Sequence, residues 1–145
     1  MTTIRNILVP VDFSPPAEAA LGLALEVAER LGASVTLLHV YGIPAYAFPE
    51  GFVLAPDILT KLAAGAQDAV EKLRAKYESS RVPLRAVSAP GIPDQEIIAR
   101  AKAESVDLIV MGTHGRTGLK HVLLGSITER VVRLAPCPVL TVRGG

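Results

Sequence analysis

The segment from Gly112 to Ser126 carries the residue types best suited to binding an anion. It holds four glycines in the fourteen positions that end at Gly125, and it directly follows an apolar, strand-like run. Because glycine has no Cβ, several backbone N–H groups are able to crowd around one phosphate. Gly125-Ser126 leads into a predicted helix, whose first N–H groups carry partial positive charge. The segment therefore predicts a phosphate site.

Two common nucleotide-binding motifs are missing from the sequence. It has neither the G-x-x-x-x-G-K-[ST] of P-loop NTPases nor a G-x-G-x-x-G after its first strand, where Asp12 stands instead. Ser14 and Ser126 have no histidine and acid partners at the spacing of a known catalytic motif. The residues therefore favour a binding site over an efficient catalyst.

Five strand-like segments alternate with helix-like ones, and they must position the glycine segment. The strands are expected at 4–11, 34–40, 83–89, 106–111 and 139–142. This alternation predicts a doubly wound, Rossmann-like α/β fold, with a parallel sheet, helices on both faces and one domain spanning 1–145. Such sheets bind ligands at the carboxyl ends of strands. The candidate ligand contacts are therefore the residues at the strand ends: Asp12, Val40-Tyr41, Ala89-Pro90-Gly91 and Gly112 onward.

Four helices are expected, and local signals mark their ends and buried faces. Ser14 is a predicted N-cap, Pro15 suits the first turn and Gly32 ends the first helix. The second helix is expected from about 57 to 80, the third opens at Pro93 and the last covers about 127–134. Helical spacing predicts a buried stripe on the second helix, made of Ile58, Leu62, Ala66, Ala69, Val70, Leu73 and Tyr77.

Composition excludes several classes of function. The net charge is +1 and no long basic block occurs, which argues against binding nucleic acid. No apolar run approaches the roughly 20 residues of a membrane span, and the N-terminus lacks the pattern of a signal peptide. The single cysteine, Cys137, is expected to be a buried reduced thiol. These features predict a cytoplasmic protein that contacts no membrane.

The spacing of the glycine segment carries a family resemblance. Gly112, two residues, Gly115, nine residues and Gly125-Ser126 match the pattern G-x2-G-x9-G-[ST]. The opening ILVPVDFS at 7–14, DLIVMGTHG at 107–115 and APCPVLTV at 135–142 agree with it. On these residues the whole chain resembles the universal stress protein family, in its ATP-binding subgroup.

The resemblance implies a fold, a ligand and contact residues. The sheet order is expected to be 3-2-1-4-5, and the ligand ATP (or ADP or AMP), with Mg²⁺ on the phosphate oxygens. Asp12 is expected near the ribose and Val40 at the adenine edge through its backbone. Gly115 and residues 125–128 are expected at the phosphates, through N–H groups and hydroxyls. The implied contacts are Pro10, Val11, Asp12, Val40, Met111, Gly112, Gly115, Gly125, Ser126, Ile127 and Thr128.

Several of these residues have ordinary structural interpretations as well. Asp12 could cap the turn into the first helix. Ser126 and Glu129 fit the capping box S-x-x-E, which is compatible with phosphate binding by other N–H groups. The basic side chains of the loop either hold a polyphosphate or lie in solvent; they are His114, Arg116, Lys120 and His121.

Three functions remain open at this point. The first is a regulatory, homodimeric ATP-binding protein with slow or no hydrolysis and an unidentified protein partner, paired through the edge strand Val139–Val142. The second is a slow ATPase or an autophosphorylating phosphotransferase. The third is an interaction module without nucleotide, in which the aromatic segment 41–52 binds a partner and the glycine loop is structural, although that segment could also be a surface flap.

Overall fold

Strands and helices alternate along the computed structural model, which describes residues 3–43, 56–114 and 124–144. The strands are β1 (Asn6–Pro10), β2 (Ser34–Tyr41), β3 (Leu84–Pro90), β4 (Leu108–Gly112) and β5 (Val139–Val142). The helices are α1 (Pro15–Leu31), α2 (Pro56–Lys76), α3 (Pro93–Ala103) and α4 (Ser126–Leu134). Within those ranges no helix is both long and apolar enough to cross a membrane.

The five strands form one parallel sheet in the order β3-β2-β1-β4-β5. This order confirms the expected doubly wound topology. The chain leaves β1 for β2 on one side and later returns to β4 on the other side of β1. The strand order therefore reverses between β1 and β4, and a crevice opens at their carboxyl ends.

Two hydrophobic cores cover the two faces of the sheet. Alternate residues of β1 divide between them, because successive side chains of a strand point to opposite faces. Ile7 and Val9 pack with α1 and α2 in the first core. Leu8 packs with α3 and α4 in the second core, where Ile97 and Val131 are buried. Each helix pair is thus held against its face by apolar burial.

The caps of α1 follow the sequence prediction. The Ser14 hydroxyl accepts a hydrogen bond from the Ala17 N–H at 3.4 Å, and Pro15 occupies the first turn. Gly32 adopts φ +66°, a left-handed conformation that glycine reaches without steric cost. These caps fix where α1 begins, just beyond the carboxyl end of β1.

The N-terminal half of α2 departs from the prediction. Ile58 and Leu62 were expected to be buried but are 46% and 36% exposed, whereas Val70 and Leu73 are buried as expected. The helix also ends at Lys76, before the predicted end at 80. Apolar spacing identifies one face of a helix, but it does not tell how far the sheet extends beneath that face.

Asp107 ties the amino ends of β1 and β4 together. Its Oδ2 accepts hydrogen bonds from the N–H groups of Arg5 and Asn6, at 2.9 Å each. These bonds to the ionised carboxylate hold the pKa of Asp107 below its ordinary value of 3.8. The stabilisation is therefore present at neutral pH and is lost as pH falls through this lowered pKa. These bonds lie next to the pairing of Ile7 with Leu108, a register in which the carboxyl ends of β1 and β4 come side by side.

Candidate functional site

A pocket of about 300 Å³ lies at the carboxyl ends of β1, β2 and β4. Its walls come from these strands, from α1, from the first two turns of α3 and from the first turn of α4. The pocket brings together ten of the eleven predicted contact residues: Pro10, Val11, Asp12, Val40, Met111, Gly112, Gly125, Ser126, Ile127 and Thr128. Residues that are distant in the sequence thus share one cavity, as the topology required.

Part of the glycine segment lies outside the described residues. That part includes the predicted contact Gly115 and the basic residues Arg116, Lys120 and His121. Of the four basic residues singled out in the loop, His114 is described and lines the pocket. Its Nδ1 lies 3.0 Å from the hydroxyl oxygen of Thr113. An imidazole therefore forms part of the pocket wall.

Asp12 is held in a tight turn between β1 and α1. Its Oδ1 accepts hydrogen bonds from the Ser14 N–H at 3.0 Å and from the Ser14 hydroxyl at 2.5 Å. The predicted turn role of Asp12 is thus observed. The same residue also lines the pocket. A carboxylate has about four acceptor positions on its two oxygens, so the bonds to Ser14 are compatible with a place in the pocket wall.

Val40 directs its backbone N–H and C=O toward the space beyond β1. Alternate residues of β2 bond to alternate neighbouring strands: the Leu38 carbonyl accepts from the Val11 N–H at 2.9 Å, and the Tyr41 carbonyl accepts from the Gly91 N–H at 3.0 Å. The backbone N–H and C=O of Val40 point to the same side of β2 as those of Leu38. The last residue of β1, Pro10, pairs with Leu38, so no residue of β1 lies opposite Val40. Its donor and acceptor therefore face the pocket.

Hydrogen bonds fasten the start of α4 to the end of β4. The Thr128 hydroxyl donates to the Gly112 carbonyl at 2.8 Å, and the Gly125 N–H donates to the Thr113 carbonyl at 2.6 Å. Thr113 in turn donates its N–H to the Val142 carbonyl of β5 at 2.9 Å. Thr128 was expected to offer its hydroxyl to a phosphate, whereas this hydroxyl proton is used within the protein. Its backbone N–H remains at the helix terminus.

The N-terminus of α4 contradicts the predicted capping box. Gly125, and not Ser126, is the N-cap, so the helix begins without a side-chain capping bond. Glu129 does not reach back; it forms an ion pair with Arg133, one turn further along. The first N–H groups of a helix have no carbonyl partner within it. At α4 these donors, from Ser126, Ile127 and Thr128, lie in the pocket wall without a side-chain cap.

Sequence reasoning missed four apolar residues of the wall. Leu38, on β2, and Ala17, on α1, point inward next to predicted contacts. Pro93 and Ile97 come from α3, which packs beside α4 over the second face of the sheet. The predicted inward face of the third helix was the available signal for Ile97. Its place in this pocket depends on how α3 crosses the sheet, which local spacing does not encode.

The other candidate side chains have structural roles. The His39 Nδ1 lies 3.1 Å from the Val11 carbonyl, as expected for a histidine satisfied at a strand end. The Cys137 side chain is half-buried against the second core, and burial raises the pKa of its thiol. It is therefore a protonated thiol at neutral pH. Over the described ranges, no group of three or more His, Cys, Asp or Glu residues could hold a metal ion.

Comparison with known sequences gives the family. The model of the universal stress protein family matches residues 3–143. The chain belongs to the universal stress protein family. A universal stress protein of Methanocaldococcus jannaschii is 35% identical over 142 residues, which cover 96% of this chain and 82% of the relative. The predicted family is therefore confirmed.

Solved structures of universal stress proteins share the fold. UspA from Lactobacillus plantarum superposes with a TM-score of 0.79 at 33% identity, covering 99% of this chain and 100% of UspA. A universal stress protein in complex with cAMP gives 0.75 at 19% identity, covering 99% and 100% of the two chains. One from Arabidopsis thaliana with AMP bound gives 0.64 at 22%, covering 97% and 92%. The last two show likeness of fold alone.

Proposed function

We propose that this universal stress protein binds ATP in the pocket between β1, β2, β4 and the N-terminus of α4. The adenine lies against the apolar wall, the ribose beside Asp12 and the phosphates at the tip of α4. The observation that carries the proposal is the N-terminus of α4, which lies in the pocket wall without a side-chain cap. Uncapped N–H donors and the helix dipole suit an anion.

The apolar wall fits a purine ring. Leu38, Val40, Ile97 and Met111 supply a hydrophobic surface, and the Val40 backbone offers a donor and an acceptor at its edge. A flat ring with alternating donors and acceptors matches this combination of surfaces. Structures of this fold that hold cAMP or AMP support an adenine nucleotide as the ligand class.

Mg²⁺ fits this site as an ion held mainly by the nucleotide. Magnesium usually keeps several waters and binds phosphate oxygens together with one or two carboxylates. Asp12 is the one carboxylate among the described residues of the wall, and Ser14 already engages it. The phosphates and water would therefore supply most of the ligands. Bound there, Mg²⁺ would neutralise phosphate charge.

The proposed role is that of a regulatory homodimer with slow or no hydrolysis. β5 lies at the end of the sheet, and no described strand pairs with its outer edge. Leu140, on β5, and Leu134, the last residue of α4, are 37% and 57% exposed. Pairing of two β5 strands about a two-fold axis would cover both features. A further protein partner would then recognise the nucleotide-bound dimer.

Nucleotide binding is tested first on the purified protein. Denaturing it and identifying what it releases by mass spectrometry is expected to yield an adenine nucleotide. The nucleotide-free protein is expected to unfold at a higher temperature when Mg-ATP is added, because a ligand that binds only the native state stabilises it. An empty protein whose unfolding temperature does not respond to Mg-ATP would contradict the proposal.

Two matched variants test the helix tip. Gly125→Asp places a carboxylate cap where the phosphates are proposed to bind, and Gly125→Asn places a neutral cap of nearly the same shape. Both are expected to unfold within a few tenths of a kcal/mol of the wild type, since glycine is already a fair N-cap. Only Gly125→Asp is expected to lose most ATP affinity through charge repulsion. Equal ATP affinity in the two variants would show that the phosphates do not bind at the N-terminus of α4.

A further inference from the structure

Phe13 has an unusual backbone conformation at the edge of the pocket. Its φ is +64°, and among the described residues only Ser105 shares a positive φ without being glycine. A residue with a bulky side chain rarely adopts this region, so its surroundings must hold it there. Phe13 stands between Asp12 and Ser14, the two residues whose hydrogen bonds form the turn into α1.

Aromatic packing holds the strained residue in place. The Phe13 ring lies 4.6 Å from the His39 ring, centroid to centroid, with an interplanar angle of 57°. This tilted arrangement is a favourable one for aromatic pairs. His39 is itself anchored, since its Nδ1 lies 3.1 Å from the Val11 carbonyl. The phenyl ring also packs against the first core.

Asp12 and Phe13 are neighbours in this turn, but their side chains lie in different surroundings. Phe13 packs against the first core, whereas Asp12 lines the pocket. A left-handed residue redirects the chain that follows it within one position, so Ser14 turns back to face the Asp12 side chain. The Ser14 N–H and hydroxyl then hold Oδ1 of Asp12 in one direction.

We propose that Phe13 is a positioning residue that sets the direction of the Asp12 carboxylate toward the ribose hydroxyls of the nucleotide. This inference rests on the proposed function. The packing of Phe13 on His39 locks the turn, and the locked turn fixes a hydrogen-bond acceptor before the ligand arrives. Preorganisation of this kind favours ligands that carry the matching donors. Phe13 thereby contributes to recognition without touching the nucleotide.

The test compares ATP with dideoxy-ATP, which lacks both ribose hydroxyls. The wild type is expected to bind ATP about tenfold more tightly than dideoxy-ATP, as a hydrogen bond to a charged carboxylate allows. Phe13→Leu and His39→Ala each remove one ring of the pair. Both are expected to bring this ratio close to one, with dideoxy-ATP affinity nearly unchanged. Phe13→Tyr keeps the ring and is expected to restore the wild-type ratio.

Tyr77→Leu is the matched control. Tyr77 also packs an aromatic ring against the first core, but it follows α2 and does not line the pocket. This variant is expected to lose thermal stability while keeping the wild-type ratio. Equal loss of ATP and dideoxy-ATP affinity in Phe13→Leu, with the ratio preserved, would overturn the inference and leave Phe13 a core residue. A wild type that binds neither nucleotide would refute the proposed function itself.

Discussion

At the scale of a single residue, the Thr128 hydroxyl joins two elements of the pocket wall, α4 and β4. It is 4% exposed, and its proton is donated to the carbonyl of Gly112. One end of this bond belongs to the first turn of α4 and the other to the last residue of β4. Thr128 therefore holds the proposed phosphate-binding N–H groups at a fixed place relative to the sheet.

Thr128→Val keeps the shape of the side chain and removes the donor. The variant is expected to lose about 1–3 kcal/mol of unfolding free energy, because it leaves a buried carbonyl without its partner. It is also expected to lose ATP affinity while keeping adenosine affinity, since adenosine has no phosphate at the helix tip. Urea denaturation and calorimetric titration measure the two effects.

Thr128→Ser is the control for that substitution, because it keeps the hydroxyl and loses only a methyl group. It is expected to retain most of the ATP affinity. If the valine variant bound ATP as tightly as the serine variant, the hydroxyl would have no part in placing the helix tip.

At the scale of secondary-structure elements, the end of β4 lies unusually close to the start of α1. A Cβ built on Gly112 would lie 2.9 Å from the carbonyl carbon and the Cβ of Pro16, in the first turn of α1. Backbone atoms cannot move aside as a flexible side chain does. Only glycine therefore lets the end of β4, which lines the pocket at Gly112, approach α1 this closely.

Two glycine-to-alanine substitutions distinguish a glycine that close backbone packing requires from one that only adds backbone freedom to the unfolded chain. Gly112→Ala is expected to destabilise the protein by about 1–3 kcal/mol through overpacking. Gly22→Ala, inside α1 with nothing within 4 Å of the added Cβ, is expected to stabilise it by about 0.5–1 kcal/mol. Denaturant unfolding measures both changes. A stable Gly112→Ala protein would show that β4 and α1 tolerate a wider separation.

The outer edge of β5 decides how the whole molecule can associate. The Ile109 N–H donates to the Pro138 carbonyl at 3.0 Å, and the Thr113 N–H donates to the Val142 carbonyl at 2.9 Å. Even-numbered residues of this segment therefore direct their backbone toward β4. Val139 and Thr141 direct theirs outward, away from the sheet. This edge is the one that the proposed dimer would use.

Thr141→Pro removes one outward N–H and leaves the bonds to β4 in place. Proline is accepted on an edge strand when the missing N–H faces outward. The variant is expected to sediment as a monomer with an unchanged circular dichroism spectrum, whereas Thr141→Val, which keeps the N–H, is expected to remain a dimer. A dimeric Thr141→Pro would place the interface on another surface of the molecule.

The sequence was sufficient for the fold and for most of the pocket lining. Alternating apolar segments predicted the strands, and Ser14, Pro15 and Gly32 predicted the ends of α1, because caps depend on a few neighbouring residues. The glycine spacing identified the family, and the family supplied the sheet order. Asp12, Val40 and Gly112 could be placed at one crevice because parallel topology brings strand ends together.

Tertiary structure alone decided how individual groups are used. Ser126 satisfies the capping-box pattern, yet Gly125 is the N-cap, because the bond from the Gly125 N–H to Thr113 fixes where the helix starts. The Thr128 hydroxyl bonds to Gly112 because β4 ends beside it, sixteen positions away in the chain. Ile58 is exposed although its spacing predicts burial. Local patterns report what a residue is able to do, whereas the partners that select one role come from distant segments of the chain.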